Sequence, residues 1–128
     1  MRLEVPIGPG ELIDKITILE IKAAHLASAA KLANVHAELA ALVAARDAAI
    51  DASPELAGLT TALKAVNATL WRVEDQIRDC ERAGDFGARF VELARSVYRI
   101  NDERAALKRR INDLLDADIV EEKSYAAY

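Results

Sequence analysis

Apolar residues recur at alternating gaps of three and four along one stretch near the middle of this 128-residue chain. They are Leu56, Leu59, Leu63, Val66, Leu70, Val73, Ile77 and Cys80. This spacing is the heptad seam of a long helix that packs against other long helices. The pattern predicts an all-α fold and leaves the function open.

Start and stop signals divide the chain into four helices, predicted at about residues 10–27, 29–51, 54–83 and 86–116 of one domain that spans 1–128. Ser53 before Pro54 is a strong start signal, because a hydroxyl cap precedes a proline at the first helical position. Ser28 can cap the second helix, and Gly84 can end the third. Residues 1–10 are predicted to form a short extended arm, and residues 117–128 a tail without an assigned place.

Consecutive helices with short connectors pack as antiparallel neighbours. Within each such pair of helices, the position numbers of two facing residues add up to the same value along the whole pair. Examples of predicted facing pairs are Leu19 with Leu39, Leu42 with Leu63, and Val66 with Arg104. The predicted architecture is an antiparallel up-down bundle. Helices 3 and 4 should extend past helices 1 and 2, which exposes apolar residues such as Phe86 and Phe90. The predicted cover is a second copy of the chain, in a homodimer.

Composition excludes some classes of partner. The formal net charge is -4, whereas proteins that bind nucleic acid usually present a basic face. No window approaches the roughly 18 consecutive apolar residues of a membrane span, so we expect a cytoplasmic protein. The single cysteine, Cys80, lies on the apolar seam and is interpreted as a small buried hydrophobe.

Arg104 is the residue that interrupts the apolar seam of helix 4. A lone buried guanidinium is costly, so it must be paired, reach the surface or face a cavity. The residues predicted near it are Asn67, Trp71, Tyr98, Asn101 and Glu20. A buried polar network, a subunit interface and a small-molecule or anion site are all compatible with this set.

Helix 1 is apolar on two sides, because Ile13, Ile18 and Ile21 lie outside its main seam, and it should therefore be buried on two sides. Its charged residues, including Asp14 and Glu20, are interpreted as a solvated pattern. Glu11 and Lys15 stand four residues apart, as in a favourable surface pair.

Sequence motifs of enzymes do not stand out. His25 and His36 are not in the Glu-x-x-His arrangement of di-metal bundles, and no Cys/His cluster has zinc spacing. The glycines form no phosphate loop, and no serine lies in a nucleophile motif. We therefore predict no catalytic residue, no cofactor and no metal.

The run from Pro9 to Lys22 resembles the opening of a family of small uncharacterised bacterial helical proteins. Further similar stretches are Ala83-Gly84-Asp85-Phe86 and Ala94-Arg95-Ser96-Val97-Tyr98-Arg99. The resemblance covers nearly the whole chain and implies no established activity. It implies at most an accessory role beside bacterial cell-surface polysaccharide synthesis. We therefore expect a non-enzymatic helical assembly or accessory protein that acts through protein–protein contacts.

A looser resemblance points to a second function. The run Glu11-Leu12-Ile13-Asp14-Lys15-Ile16 is similar to the opening helix of the all-helical chorismate mutases. That resemblance implies a site for a dicarboxylate held by several Arg and Lys side chains. Helix 1 of this chain has no arginine, so the ligand-binding alternative rests on Arg104.

Overall fold

The computed structural model of the protein describes residues 1–128 and contains four α-helices and no strand. The helices are α1 (Pro9–His25), α2 (Ala29–Ala49), α3 (Pro54–Ala83) and α4 (Ala88–Leu114). The predicted all-α fold of four packed helices is confirmed.

Three helix ends, the starts of α2 and α3 and the end of α3, carry capping residues. The Ser53 hydroxyl accepts a hydrogen bond from the Leu56 backbone N–H at 3.1 Å, and Ser28 does the same for Lys31 at 3.4 Å. Gly84 ends α3 in the left-handed conformation, with a φ of 66° that an L side chain would strain. These caps fix the lengths of the connectors, and short connectors keep consecutive helices antiparallel.

Helix α1 lies at the centre of the fold and packs against each of the other three helices. Helix α2 packs against α1, and none of its Cα atoms lies within 8 Å of a Cα atom of α3 or α4. The predicted pairing of Leu42 with Leu63 is therefore wrong. The reason is the apolar surface of α1, which is buried on two sides, whereas the alanine-rich α2 buries only Val35.

The contacts of α1 give the helix directions. Towards α4, the partner number falls as the α1 number rises: Gly10 bonds to Asn112, and Asp14 to Arg104. Towards α3 both numbers rise together, because Asp14 bonds to Asn67 whereas the His25 ring lies 5.1 Å from that of Trp71. Helix α1 is thus antiparallel to α4 and parallel to α3, which agrees with an up-down order.

The main apolar core joins α1, α3 and α4 at the end where α1 begins. Its buried members are Ile13, Leu56, Leu59, Leu63 and Ile111. The C-terminal tail, which has no assigned place in the sequence reading, runs back along α4: Glu121 pairs with Lys108, and the Tyr128 hydroxyl bonds to Asp102. The tail therefore lies on the outer side of the bundle beside the site described below.

At the opposite end, α3 and α4 extend past α1, whose last residue lies level with Trp71. We call residues 74–99, which form this projecting part, the hairpin tip. Phe86 is 54% exposed and Val91 49% exposed, although the Cys80 side chain between the helices is buried. The tip therefore presents apolar side chains that no other part of the chain covers.

Candidate functional site

The most deeply buried charged group is Asp14 of α1, whose residue exposure is 0%. Its carboxylate accepts two hydrogen bonds from Arg104 of α4, from Nε at 2.9 Å and from Nη2 at 2.5 Å. This fork geometry is the strong bidentate form of an arginine–carboxylate pair. Arg104 is thus paired, and its partner Asp14 is buried, whereas the sequence pattern predicts a solvated side chain.

Asn67 of α3 completes the network around Asp14. Its side-chain nitrogen donates to Asp14 Oδ1 and to Thr17 Oγ1, both at 2.9 Å, and Asn67 is itself buried. The Thr17 hydroxyl donates its own hydrogen to the Asp14 backbone oxygen at 2.8 Å. Both partners of Asn67 can therefore only accept, which fixes the amide with its NH₂ group towards them.

A second charged group lies one turn along α4. Lys108 is buried, and its Nζ lies 2.8 Å from a Glu11 oxygen and 2.6 Å from a Glu121 oxygen. The lysine thus joins the start of α1 to the tail. Glu11 bonds across to α4, and the predicted surface pair of Glu11 with Lys15 is absent from the ion pairs.

The pKa shifts follow from these contacts. Burial raises the pKa of the Asp14 carboxyl, but the hydrogen bonds from Arg104 and Asn67 outweigh it and hold the pKa below its usual value. The Asp14 hydrogen bond raises the pKa of Arg104. Burial lowers the pKa of Lys108, but the hydrogen bonds to Glu11 and Glu121 raise it by more than burial lowers it, so the pKa lies above its usual value. Asp14, Arg104 and Lys108 are therefore charged at neutral pH.

The sequence-predicted site residues separate into two groups. Four of them, Asn67, Trp71, Asn101 and Arg104, line one cavity between α1, α3 and α4. Tyr98 lies outside it, with its ring 5.0 Å from that of Tyr128 in the tail. Glu20 does not join the Arg104 network either, because its carboxylate pairs with Lys64 at 2.9 Å on the surface.

Asp14 is not among the residues predicted near Arg104. A signal was present, because Asp14, Ile18 and Ile21 follow one another at gaps of four and three along the second apolar side of α1. A carboxylate in that stripe points into the bundle with the isoleucines. An acid and an arginine that each interrupt an apolar stripe are natural partners.

The arrangement leaves few groups free for chemistry. Asp14 and Lys108 are each held by two partners within the chain, and no cluster of three or more His, Cys, Asp or Glu side chains could hold a metal ion. None of the helices combines the length and apolar character needed to cross a membrane. Polar side chains with open hydrogen-bonding positions, such as Asn101, line the cavity beside Arg104.

Comparisons with known proteins give a family but no activity. No curated protein and no solved structure matches the chain. A model described as a family of unknown function, DUF6165, matches residues 1–128, and the chain therefore belongs to that family.

Proposed function

We propose that this protein is a non-enzymatic helical assembly or accessory protein that acts through protein–protein contacts, and that its first partner is a second copy of the chain. The observation that carries the proposal is the hairpin tip, with its exposed Phe86 and Val91. Contiguous exposed apolar side chains on a globular protein mark an interaction surface. Half-buried residues enlarge this patch: Ile77, Phe90 and Leu93.

The charges of the tip favour a second copy as the partner. Between Glu74 and Ala83, α3 has four acidic residues and two arginines, which gives a net charge of -2. Between Ala88 and Arg99, α4 has three arginines and one glutamate, which gives +2. In a two-fold symmetric dimer the α3 segment of one copy can lie along the α4 segment of the other, and the two opposite charges meet twice.

These charges are not used up within the chain. The ion pairs of the tip, such as Arg78 with Glu74 and Arg95 with Glu92, join residues of the same helix. None of them joins α3 to α4, and Asp75, Glu81 and Arg89 are in no ion pair. They are available to a partner of complementary pattern.

Charge-swapped variants test this proposal. One variant carries Arg89→Glu and Arg95→Glu, and the other carries Asp75→Lys and Glu81→Lys. In a dimer of either variant with itself, like charges meet at both symmetric contacts. Each variant on its own should therefore self-associate at least about tenfold more weakly than the wild type. Mixed in equal amounts, they should form a heterodimer, because each altered helix then faces its complement. Sedimentation measures all three samples.

The matched control is Leu3→Gln, an exposed apolar residue of the N-terminal arm, which should leave the dimer unchanged. A Phe86→Gln, Val91→Gln variant should be monomeric with an unaltered helical circular dichroism spectrum. A wild-type protein that is monomeric at tens of micromolar, or charge variants that fail to restore each other, would refute a second copy as the partner. A role beside cell-surface polysaccharide synthesis is implied by the family resemblance alone and stays a prediction.

A further inference from the structure

The cavity beside Arg104 has a volume of about 600 Å³ and opens to solvent between α1, α3 and α4. Small-molecule sites of proteins have volumes of roughly 300–1,000 Å³. The apolar wall consists of Ile18, Ile21, Leu70 and Trp71. Asn67, Asn101 and Arg104 supply polar groups next to that wall. Four charged side chains complete the lining: Lys22, Glu74, Asp75 and Arg78. The cavity thus sets one apolar wall beside convergent polar groups, as binding sites do.

Asn67 presents an open acceptor there. Its NH₂ group is held by Asp14 and Thr17, and its side-chain oxygen has no hydrogen bond within the chain. Every fully buried side-chain polar atom has a partner, so this unpaired oxygen reaches solvent. The residue is only 5% exposed, and the cavity is the solvent space that it lines.

Arg104 presents an open donor beside this acceptor. Its Nε and Nη2 are bonded to Asp14, whereas Nη1 has no partner and the side chain is 29% exposed. The Asn101 side-chain amide is also without a hydrogen bond within the chain and lines the same cavity. Asn67 and Arg104 both bond to Asp14 Oδ1, so the free acceptor and the free donor belong to side chains that one carboxylate holds beside the apolar wall.

The site carries no net charge that would attract an ion. The carboxylate of Asp14 neutralises Arg104, and Glu74 pairs with Arg78 at the rim. The remaining charged lining residues, Lys22 and Asp75, have opposite signs and are in no ion pair. Because Asp75 offsets Lys22 and Asp14 offsets Arg104, the lining offers an anion no net positive charge, and the anionic ligand that Arg104 alone predicts is disfavoured.

The geometry points to an uncharged planar heterocycle with an N–H next to a C=O, as in a nucleobase, as the ligand of this cavity. The ligand N–H donates to the Asn67 oxygen, its carbonyl accepts from Arg104 Nη1, and its ring lies against Trp71. Aromatic stacking supplies affinity for any base face. A sugar fits less well, because its many hydroxyls would leave water for a wall of Ile18, Ile21 and Leu70.

The cavity lies between helices of one chain, but Glu74, Asp75 and Arg78 of its lining also belong to the hairpin tip, so binding is measured on the Phe86→Gln, Val91→Gln variant as well as on the wild type. Trp71 is the only tryptophan, so its fluorescence reports occupancy directly. We expect uracil to change it with a Kd of about 1 mM or tighter. The compound 1,3-dimethyluracil keeps the ring face but has no N–H, and should bind at least about tenfold more weakly.

Arg104→Lys is the decisive protein variant. Lysine keeps the positive charge beside Asp14 but has no counterpart of Nη1, the nitrogen that donates to the ligand carbonyl. Uracil should therefore bind about tenfold more weakly or not at all. The circular dichroism spectrum should be unchanged. Arg109→Lys, on the exposed side of the same helix, is the matched control and should bind like the wild type. Ligand-observed NMR gives a second readout for each variant.

The proposal fails if uracil at about 10 mM, well above the expected Kd, changes neither the fluorescence nor the NMR signals. It also fails if Arg104→Lys binds uracil as the wild type does. Benzoate or methyl glucoside binding more tightly than uracil would show an anion or sugar site and would overturn the proposed ligand class.

Discussion

Replacing Arg104 with methionine tests the Asp14 network directly. The substitution removes both hydrogen bonds that Arg104 donates, and the fully buried carboxylate keeps one side-chain bond, from Asn67. Removing one partner of a buried ion pair costs about 3–5 kcal/mol. Because the Arg104 side chain is 29% exposed, the pair is partly solvated and we expect the lower end, about 3 kcal/mol.

The double variant Asp14→Leu, Arg104→Met separates the loss of the pair from the burial of an unpaired charge. Apolar replacement of a whole buried ion pair is often neutral or stabilising, but here Asn67 loses one acceptor, at a cost of about 1–3 kcal/mol. The double variant should therefore be more stable than Arg104→Met alone. Urea unfolding followed by circular dichroism measures the free energies of unfolding. A loss below about 1 kcal/mol in the single variant, less than an unsatisfied buried group costs, would refute the reasoning, as would a double variant no more stable than the single.

Acidification adds an independent check on the same pair. The pKa of Asp14 is lowered in the folded protein, so its stabilising effect is complete above the unfolded pKa and is lost as the pH falls through the folded one. In Arg104→Met the buried carboxyl lacks its cation, its folded pKa rises, and protonation relieves the penalty. The stability gap between wild type and variant should therefore narrow from about pH 7 to about pH 4. A difference in the free energy of unfolding that stays constant over this pH range would show that the loss does not come from the charge of Asp14.

Three further predictions concern other parts of the fold. Gly10→Ala should destabilise the protein by about 1–3 kcal/mol in thermal unfolding, because a Cβ there would lie 2.5 Å from the Lys108 carbonyl oxygen. Gly58→Ala, whose Cβ meets nothing within 4 Å, is the control and should stabilise α3 by about 0.5–1 kcal/mol. The Cys80 thiol is 1% exposed and should react with a thiol reagent only after denaturation; rapid reaction of native protein would contradict its burial. Glu121→Gln removes one partner of Lys108 and should speed tryptic cleavage in the tail while the melting temperature barely changes.

The individual helices were predictable because their ends carry local chemistry. Ser53 with Pro54 and Gly84 act within a few residues of their own positions, so a linear pattern is enough to read them. The bounds of α3 and the all-α class depend on such local signals. The seam of α3 also indicates which of its residues enter the core, such as Leu63.

Which helices pack against each other was harder to predict from the sequence. Short connectors make sequence neighbours antiparallel, but they do not say whether α2 or α1 lies against α3. That choice depends on how much apolar surface each helix offers around its whole circumference, which favours α1 with its buried Ile13 and Ile21. A single apolar seam assigned to each helix does not show that α1 has more apolar surface than α2.

The candidate site was half predictable. Arg104 stood out because a guanidinium on an apolar seam needs an explanation, and Asn67 lay beside it in the predicted register. Asp14 was overlooked because a charged residue among other charges on α1 looks solvated until α1 is known to be buried on both sides. Tertiary placement, and not local propensity, decides which acid meets the arginine.

The central position of α1 has a consequence for how the chain is made. Its hydrogen bonds to α4 join residues 90 and 102 positions apart, at Asp14 with Arg104 and at Gly10 with Asn112. Contacts of such long sequence separation form late and slow folding. During synthesis α1 is made before α4, so these contacts of α1 cannot form until most of α4 has followed. Until then the surface of α1 that α4 covers stays exposed in the nascent chain, and exposed hydrophobic surface of this kind is what chaperones bind.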